Sequence, residues 1–285
     1  MNRLGRITVG EKCPVRIMGI LNTSPESFYK KSVKTSEEQI RDAVLQMESD
    51  GADFVDVGGM STAPYLSTLV SEDVESDRIL GAVKVIQSTS DIPISVDTCR
   101  ASVAEAALEA GVDILNDISG LKYDKKMRDV ISRFKPSVVL CAYGTDMTTE
   151  NHILSARNLL NESIFIAKEC GILPHGITLD PAIGFFRKSG MGEFFTKIES
   201  DWTDRDIEVL SALQSIKQEY PVMVSVSGKS FLGKILGKDA PRDRLSGSIA
   251  AEAVAVLYGA DIIRTHNVAQ TRDAVLVASK LSGRA

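Results

Sequence analysis

Short apolar runs recur along this chain, and each of them stops abruptly at a polar or charged residue. Seven runs have this form and an eighth, at 137–140, ends less sharply; together they cover residues 16–21, 54–57, 94–96, 114–115, 137–140, 177–179, 222–226 and 262–263. Parallel strands that are buried on both faces have such continuous β-branched sequences. The runs therefore predict a parallel sheet, and its polar strand ends would collect where ligands of α/β folds bind.

Helical patterns fill the segments between the runs. They cover residues 37–49, 71–88, 100–110, 125–134, 151–170, 204–219, 244–258 and 271–280, and Thr35 or Ser36 suits the cap of the first. The junctions Gly51-Ala-Asp, Gly111-Val-Asp and Gly259-Ala-Asp repeat one helix-to-strand turn. This alternation predicts a single-domain (β/α)8 TIM barrel over residues 1–285, with a doubly wound open sheet as the alternative. Residues 6–9 and 11–15 are expected to form a hairpin at the barrel bottom.

The composition argues against several classes of protein. The chain has 285 residues, 44% of them hydrophobic, and a formal net charge of -5, so nothing favours binding to nucleic acid or membrane. No apolar stretch approaches the roughly 20 residues that span a bilayer, and no signal-peptide pattern begins the sequence. The four cysteines are scattered without CxxC spacing. Reduced thiols of a cytoplasmic protein are therefore expected.

Asp97, Asn116 and Asp180 directly follow three of the predicted strands. Any one of them could be a helix cap in a strand-to-helix loop. Carboxylates at the ends of buried strands are costly unless they meet hydrogen-bond donors, so three such groups at one end of a barrel indicate a shared ligand. Two carboxylates and an amide match a 2-aminopyrimidinone ring, whose exocyclic amine and ring N–H groups need acceptors.

A cationic group, Lys229, Arg264 and His266, comes from the last two predicted strands. The loops after the seventh and eighth strands of these barrels form a recurring phosphate site. Lys229 could instead be a solvated loop lysine, and His266 a core histidine with satisfied hydrogen bonds. Arg264 is the stronger signal, because it lies beside two isoleucines where burial without an anion would be costly.

Hydroxyl-rich loops follow the first two predicted strands, at residues 22–28 and 58–64. Each could be a simple turn. The first could also be a mobile lid that begins at Asn22 and carries an oxygen ligand for a divalent ion. In the second, Gly58 and Gly59 permit close approach of the backbone to a ligand.

Taken in order, these segments resemble the dihydropteroate synthases, a family of pterin-binding barrel enzymes. The resemblance is carried by MGILNTSPESF at 18–28, DVGG and ST at 56–59 and 61–62, SVDT at 95–98, NDISG at 116–120, LDPAIGF at 179–185, SGKSF at 227–231 and RTH at 264–266. The matching region spans residues 16–267, nearly the whole chain. The set of segments together makes the resemblance specific.

The resemblance implies a transferase that joins 6-hydroxymethyl-7,8-dihydropterin pyrophosphate to p-aminobenzoate and releases pyrophosphate through a pterin methylene cation. It assigns the pterin to Asp97, Asn116, Asp180 and Lys229. Asp97 and Lys229 are the expected catalytic residues. It assigns the pyrophosphate, with Mg²⁺, to Asn22, Arg264 and His266, and Asn22 is the expected metal ligand. It assigns the arylamine to Thr62, Pro64, Phe185 and Ser230. It also implies a homodimer formed by helices of the outer wall.

The chain departs from the family sequence around the second substrate. Ala63 and Gly228 stand where the family usually has arginines, and Ala182 replaces the glycine of Asp-Pro-Gly. The extra room leaves open a larger acceptor, such as the ribofuranosyl aminobenzene 5′-phosphate of methanopterin-type pathways. Two different functions would also use a pterin pocket: a methyltetrahydrofolate-corrinoid methyltransferase, which needs no pyrophosphate site, and a non-catalytic pterin-binding barrel. The cationic group favours the synthase.

Overall fold

Twelve strands lie in the computed structural model, which describes residues 1–25, 33–64, 69–148 and 151–284. They are β1 (Arg3–Leu4), β2 (Ile7–Thr8), β3 (Arg16–Asn22), β4 (Phe54–Gly58), β5 (Ile94–Asp97), β6 (Ile114–Asp117), β7 (Ser137–Cys141), β8 (Ile177–Asp180), β9 (Phe186–Arg187), β10 (Thr196–Lys197), β11 (Met223–Val224) and β12 (Ile262–Thr265). Eight of them form one parallel sheet, in the order β11-β12-β3-β4-β5-β6-β7-β8. A parallel bridge between Leu179 and Val222 brings its two outer strands together, so the sheet is a nearly closed barrel.

All eight apolar runs are barrel strands, which confirms the predicted TIM barrel. The run at 222–226 is shorter as a strand than predicted, and β11 covers only Met223–Val224. The chain turns just beyond this end: Gly228 has a φ of +69°, and the Lys229 N–H donates to the Val226 carbonyl over 3.2 Å.

Ten α-helices surround the sheet among the described residues, and none of them is long and apolar enough to cross a membrane. They are α1 (Glu37–Asp50), α2 (Glu72–Thr89), α3 (Ala101–Glu109), α4 (Met127–Phe134), α5 (His152–Glu169), α6 (Trp202–Ser211), α7 (Leu213–Lys217), α8 (Ser230–Leu236), α9 (Leu245–Leu257) and α10 (Val268–Ser282). The predicted helix at 204–219 is wrong as one element. Its ladder breaks where the Ala212 N–H bonds to the Val209 carbonyl, a tighter turn than an α-helix makes. The seven-residue α8 was not predicted, because it is too short to show a period.

The three repeated junctions have the expected helix ends. Gly51, Gly111 and Gly259 have φ angles of 98°, 91° and 103°, in the left-handed region that glycine adopts at low cost. Two of the following aspartates then join neighbouring strands. Asp53 accepts the Ile17 N–H over 2.8 Å, and Asp261 accepts the Val222 N–H over 2.9 Å. The repeated sequence therefore ends a helix and aligns the start of a barrel strand.

The N-terminal hairpin covers the barrel bottom, but the bounds predicted for it are wrong. The antiparallel strands are β1 and β2, and Gly5 turns the chain between them with a φ of +54°. Leu4 determines this position, since it is fully buried in the apolar cluster at the start of the barrel strands. The cluster contains Val9, Met18, Phe54, Ile114, Val139, Met223 and Ile262.

Candidate active site

The polar residues at the carboxyl ends of the barrel strands line one cleft, whose empty space is about 830 Å³ when its opening to solvent is included. All eleven site residues named from the sequence lie in its wall: Asn22, Thr62, Pro64, Asp97, Asn116, Asp180, Phe185, Lys229, Ser230, Arg264 and His266. The barrel explains this convergence, because parallel strands end at one rim. Residues 26–28 of the predicted lid, together with residues 65–68 after the second loop, lie outside the described residues.

Arg264 joins two carboxylates within the site. Its Nε donates to Asp56 Oδ2 over 2.7 Å, and its Nη2 donates to Asp97 Oδ2 over 2.7 Å. Asn116 Nδ2 donates to the same Asp56 oxygen over 3.1 Å, which turns the acceptor end of its amide away from Asp56. Arg264, predicted from the sequence to bind an anion, therefore also links strands β4, β5 and β12.

Burial sets the direction of the pKa shifts of Asp97, Asp180, Lys229 and His266. It raises the pKa of Asp97 to about 7 although the Arg264 charge opposes this, and it also raises the pKa of Asp180. Burial lowers the pKa of Lys229 to about 8, against the attraction of Asp180. Burial, with repulsion from the two cations, lowers the pKa of His266 to about 3. His266 is therefore neutral near pH 7 in the protein alone, and the predicted cationic group holds two cations rather than three.

Lys229 lies over the aromatic ring of Phe185, with Nζ 3.8 Å from the ring centroid. Gly184 makes this approach possible. It has a φ of +87°, and a Cβ at this position would lie 2.8 Å from Lys229 Cδ. A cation over a ring face is stabilised by the ring quadrupole. The amine is thus held against the wall of the cleft before any ligand binds.

A fully buried ion pair on α6 holds the loop that follows β8. Arg205 donates to the carbonyl oxygens of Pro181 and Ala182, over 2.7 and 3.2 Å. Its Nη1 also lies 3.2 Å from Asp206 Oδ1, and the same oxygen accepts the Gly184 N–H over 3.0 Å. The backbone of this loop is therefore fixed at the cleft by hydrogen bonds to two side chains of α6.

Asn22 and His266 are the remaining residues that the sequence assigns to anion and metal. Asn22 ends β3 at the cleft, and His266 Nδ1 lies 3.1 Å from Ser227 Oγ. No three His, Cys, Asp or Glu side chains in the described part of the chain are grouped as a metal site. The donor named for a metal in this wall is thus the single amide oxygen of Asn22.

Two residues that touch the site were not named from the sequence. Asp56 is fully buried, and its Oδ1 has no hydrogen-bond partner among the described residues. A carboxylate inside an apolar strand needs a buried partner, and this signal could have identified it. Arg187 donates from Nη2 to Ser230 Oγ over 2.5 Å. The two-residue strands β9 and β10 that position it have no periodic pattern, so nothing in the sequence marks it.

Comparisons with known proteins agree with this geometry. The model of the pterin binding enzyme family matches residues 18–266. The chain is 34% identical over 273 residues to the dihydropteroate synthase of Synechocystis sp., which covers 93% of this chain and 89% of that protein. It is 35% identical over 254 residues to the dihydropteroate synthase of Bacillus subtilis, covering 89% of this chain and 84% of that one.

Solved structures extend the similarity to the whole fold. A Clostridium difficile dihydropteroate synthase crystallised with pteroic acid superposes with a TM-score of 0.83, at 33% identity and with 100% of both chains covered. A Xanthomonas albilineans dihydropteroate synthase with 4-aminobenzoic acid superposes with a TM-score of 0.81, at 30% identity, covering 94% of this chain and 93% of that one.

Proposed function

The chain belongs to the pterin-binding enzyme family and to its dihydropteroate synthases, and we propose that the cleft is where it performs their reaction. The enzyme is a transferase that condenses 6-hydroxymethyl-7,8-dihydropterin pyrophosphate with p-aminobenzoate to give dihydropteroate and pyrophosphate. One observation carries the assignment of the cleft. The same cavity is lined by Asp97, Asn116 and Asp180, from three strand ends, and by Lys229, from the loop after a fourth strand.

The pterin ring would lie among Asp97, Asn116 and Asp180. Its amine and ring N–H groups are donors, and the two carboxylates and the amide oxygen are acceptors. These hydrogen bonds would favour the ionised carboxylates and oppose the burial that raises the pKa of Asp97 and Asp180. Lys229, held over Phe185, would donate to an acceptor atom of the ring.

The chemistry needs positive charge at the leaving group and negative charge near the methylene. The C–O bond between methylene and pyrophosphate breaks, and its electron pair leaves with the pyrophosphate oxygen. The amine nitrogen then forms the C–N bond and loses a proton. Arg264 has N–H donors beyond the two that bind Asp56 and Asp97, and they could bind the departing anion. His266 lines the same cleft and would lie beside that anion. The Asp97 carboxylate would stabilise the methylene cation.

A Mg²⁺ ion fits the donors offered here. Mg²⁺ typically takes one or two protein oxygens and completes its shell with substrate phosphates and water. Asn22 ends β3 at the cleft and carries an amide oxygen, a ligand type that suits Mg²⁺. When bound, the ion would neutralise charge on the diphosphate.

We also propose a homodimer in the cytoplasm. Exposed apolar side chains lie along α9 and α10, including Leu257, Leu276 and Val277, and a second copy would cover them. All four cysteines are buried free thiols, as in proteins of reducing compartments. Sedimentation should give twice the chain mass for the wild type and the single-chain mass for Val277→Asp.

The test of the function is the purified protein mixed with the pterin pyrophosphate, p-aminobenzoate and Mg²⁺. Dihydropteroate and pyrophosphate should form in equal amounts, and a chelator should stop the reaction until Mg²⁺ is restored. A parallel arm replaces p-aminobenzoate with ribofuranosyl aminobenzene 5′-phosphate. Exclusive use of that larger amine, or binding of the pterin without any product, would overturn the proposal.

A further inference from the structure

The wall of the cleft assigned to the arylamine carries no cation at the two positions where the resemblance leads one to expect arginine. Ala63 lines the cleft but has no charge. At Gly228 the φ of +69° disfavours any larger side chain. An acceptor that bears a carboxylate would still require a positive group near this wall, because burial of an unpaired carboxylate is costly.

Arg187 lies directly behind this wall. Its Nη2 donates to Ser230 Oγ over 2.5 Å, and Ser230 lines the cleft. The guanidinium carbon lies 4.0 Å from the ring centroid of Trp202, and Nη1 donates to the Phe186 carbonyl over 2.7 Å. The residue is only 8% exposed. The guanidinium is therefore fixed in position and largely shielded from water.

The segment that carries Arg187 is also attached to the opposite side of the acceptor wall. β9 and β10 pair in parallel, and between them the Met191 N–H donates to the Pro64 carbonyl over 2.9 Å. The Thr196 N–H donates to the Phe185 carbonyl over 2.9 Å. Pro64, Phe185 and Ser230 all line the cleft, so residues 186–197 join three parts of the same wall. Arg187 thus keeps a constant position relative to the acceptor.

We propose that Arg187 is a specificity-determining residue that selects an arylamine bearing a carboxylate. It acts through its hydrogen bond to the hydroxyl of Ser230 and through its own positive charge beside that hydroxyl. Ser230 Oγ accepts from Arg187, so its own proton is directed elsewhere and is available to an acceptor in the cleft. A hydrogen bond of this kind is strengthened by the cation behind it. This inference rests on the proposed function, since it names the feature by which that site recognises its second substrate.

The test compares two amines of the same shape, p-aminobenzoate and the neutral 4-aminobenzamide. In Arg187→Gln, the KM for p-aminobenzoate should rise at least about ten-fold, as expected when a charge-assisted hydrogen bond is lost. The kcat, the KM for the pterin pyrophosphate and the kcat/KM for the amide should stay within about three-fold. Lys188→Gln, which removes an exposed neighbouring charge, is the matched control and should leave the kcat/KM for both amines unchanged.

Two further variants guard against a merely structural role. Arg187→Lys should restore part of the preference for the acid. Ser230→Ala should reduce that preference although residue 187 is still arginine. Equal losses with both amines in Arg187→Gln, or an unchanged ratio of their kcat/KM values, would overturn the inference. A wild type that makes no dihydropteroate would contradict the proposed function instead, so the two failures are distinct.

Discussion

At the residue scale, Asp97 accepts hydrogen bonds from two sources, Arg264 and the proposed substrate. Its Oδ2 accepts from Arg264 over 2.7 Å, and the same side chain lines the cleft where a pterin would bring further donors. We expect Asp97→Asn to lower kcat/KM at least about 100-fold, because the neutral amide cannot stabilise a cation as a carboxylate does. Asp91→Asn, at an exposed position shortly before the same strand, is the control and should be unaffected. Circular dichroism should show both variants folded; near-normal kinetics in Asp97→Asn would remove this residue from the mechanism.

The same carboxylate predicts the pH dependence. Its pKa is raised to about 7, so the active ionised form is lost as the pH falls through 7, and kcat/KM should decline on the acid side. The pKa of Lys229 is lowered to about 8, so its charge is lost as the pH rises through 8 and kcat/KM should decline again. A pH profile of the free enzyme should thus be bell-shaped, with Lys229→Arg moving the alkaline limb upward. A flat profile between about pH 5.5 and about 7 would contradict the Asp97 assignment.

Ala182 is a strained residue next to the site. It has a φ of +57°, in the left-handed region that costs a non-glycine residue about 1–2 kcal/mol. Ala182→Gly should raise the free energy of unfolding by about 1 kcal/mol, once the greater freedom of unfolded glycine is subtracted. Urea unfolding measures this. Ala110→Gly, at an exposed helix end with a φ of −75°, has no such strain to relieve and should not stabilise the protein. A loss of stability in Ala182→Gly would show that the strain is absent.

Much of the site could be predicted residue by residue. All eleven named residues lie in the cleft, because each stands at or just beyond a strand end and the barrel gathers those ends. The partners of these residues could not be predicted in the same way. Asp56 and Arg264 are 208 positions apart, and no local pattern connects them. The charge of His266 depends on burial, which the sequence does not state.

At the scale of elements, α6 acts as a support for the loop after β8. Its first turn is rich in polar residues and resembles a solvated helix start, yet Arg205 and Asp206 are both fully buried. They are buried because the loop supplies carbonyl and N–H partners for them. Helical periodicity alone would have left them in solvent, so the tertiary contact overrides the local pattern here.

This support can be tested with one conservative change. Asp206→Asn keeps an acceptor for Gly184 but leaves Arg205 without its counter-charge, so the free energy of unfolding should fall by about 3 kcal/mol. The loop would loosen, and the KM for the pterin substrate should rise. Asp204→Asn, on an exposed position of the same helix, should change neither quantity. If the two variants behave alike in urea unfolding and in kinetics, α6 does not support the loop.

At the scale of the whole molecule, the barrel closes at a seam between β8 and β11. β3 pairs with β4 over five residues, whereas β8 is joined to the segment just before β11 by the bridge between Leu179 and Val222 and by the hydrogen bond from the Leu179 N–H to the Pro221 carbonyl. Asp180 ends β8 and Lys229 follows β11, so they lie on opposite sides of the seam. A ligand held by both residues would therefore help to close the barrel.

Hydrogen exchange should reveal this seam. In the protein alone, backbone amides of residues 222–226 should exchange faster than those of β4, because fewer ladder bonds must open. Adding a pterin should slow exchange at 222–226 and leave β4 unchanged. Equal protection of both segments without ligand, or no slowing with ligand, would contradict this view of the seam. Asp180→Asn provides the control in which the ligand-dependent protection should be lost.

The sequence by itself determined the barrel and the membership of its rim. Apolar runs, polar strand ends and the three glycine junctions are local features, and parallel strands bring their ends together whatever else the chain does. Tertiary structure alone decided the ionisation and the supports: Arg264 between two carboxylates, neutral His266, Arg187 behind Ser230 and the buried pair on α6. These depend on burial and on distances between residues remote along the chain, and such quantities exist only once the chain is folded.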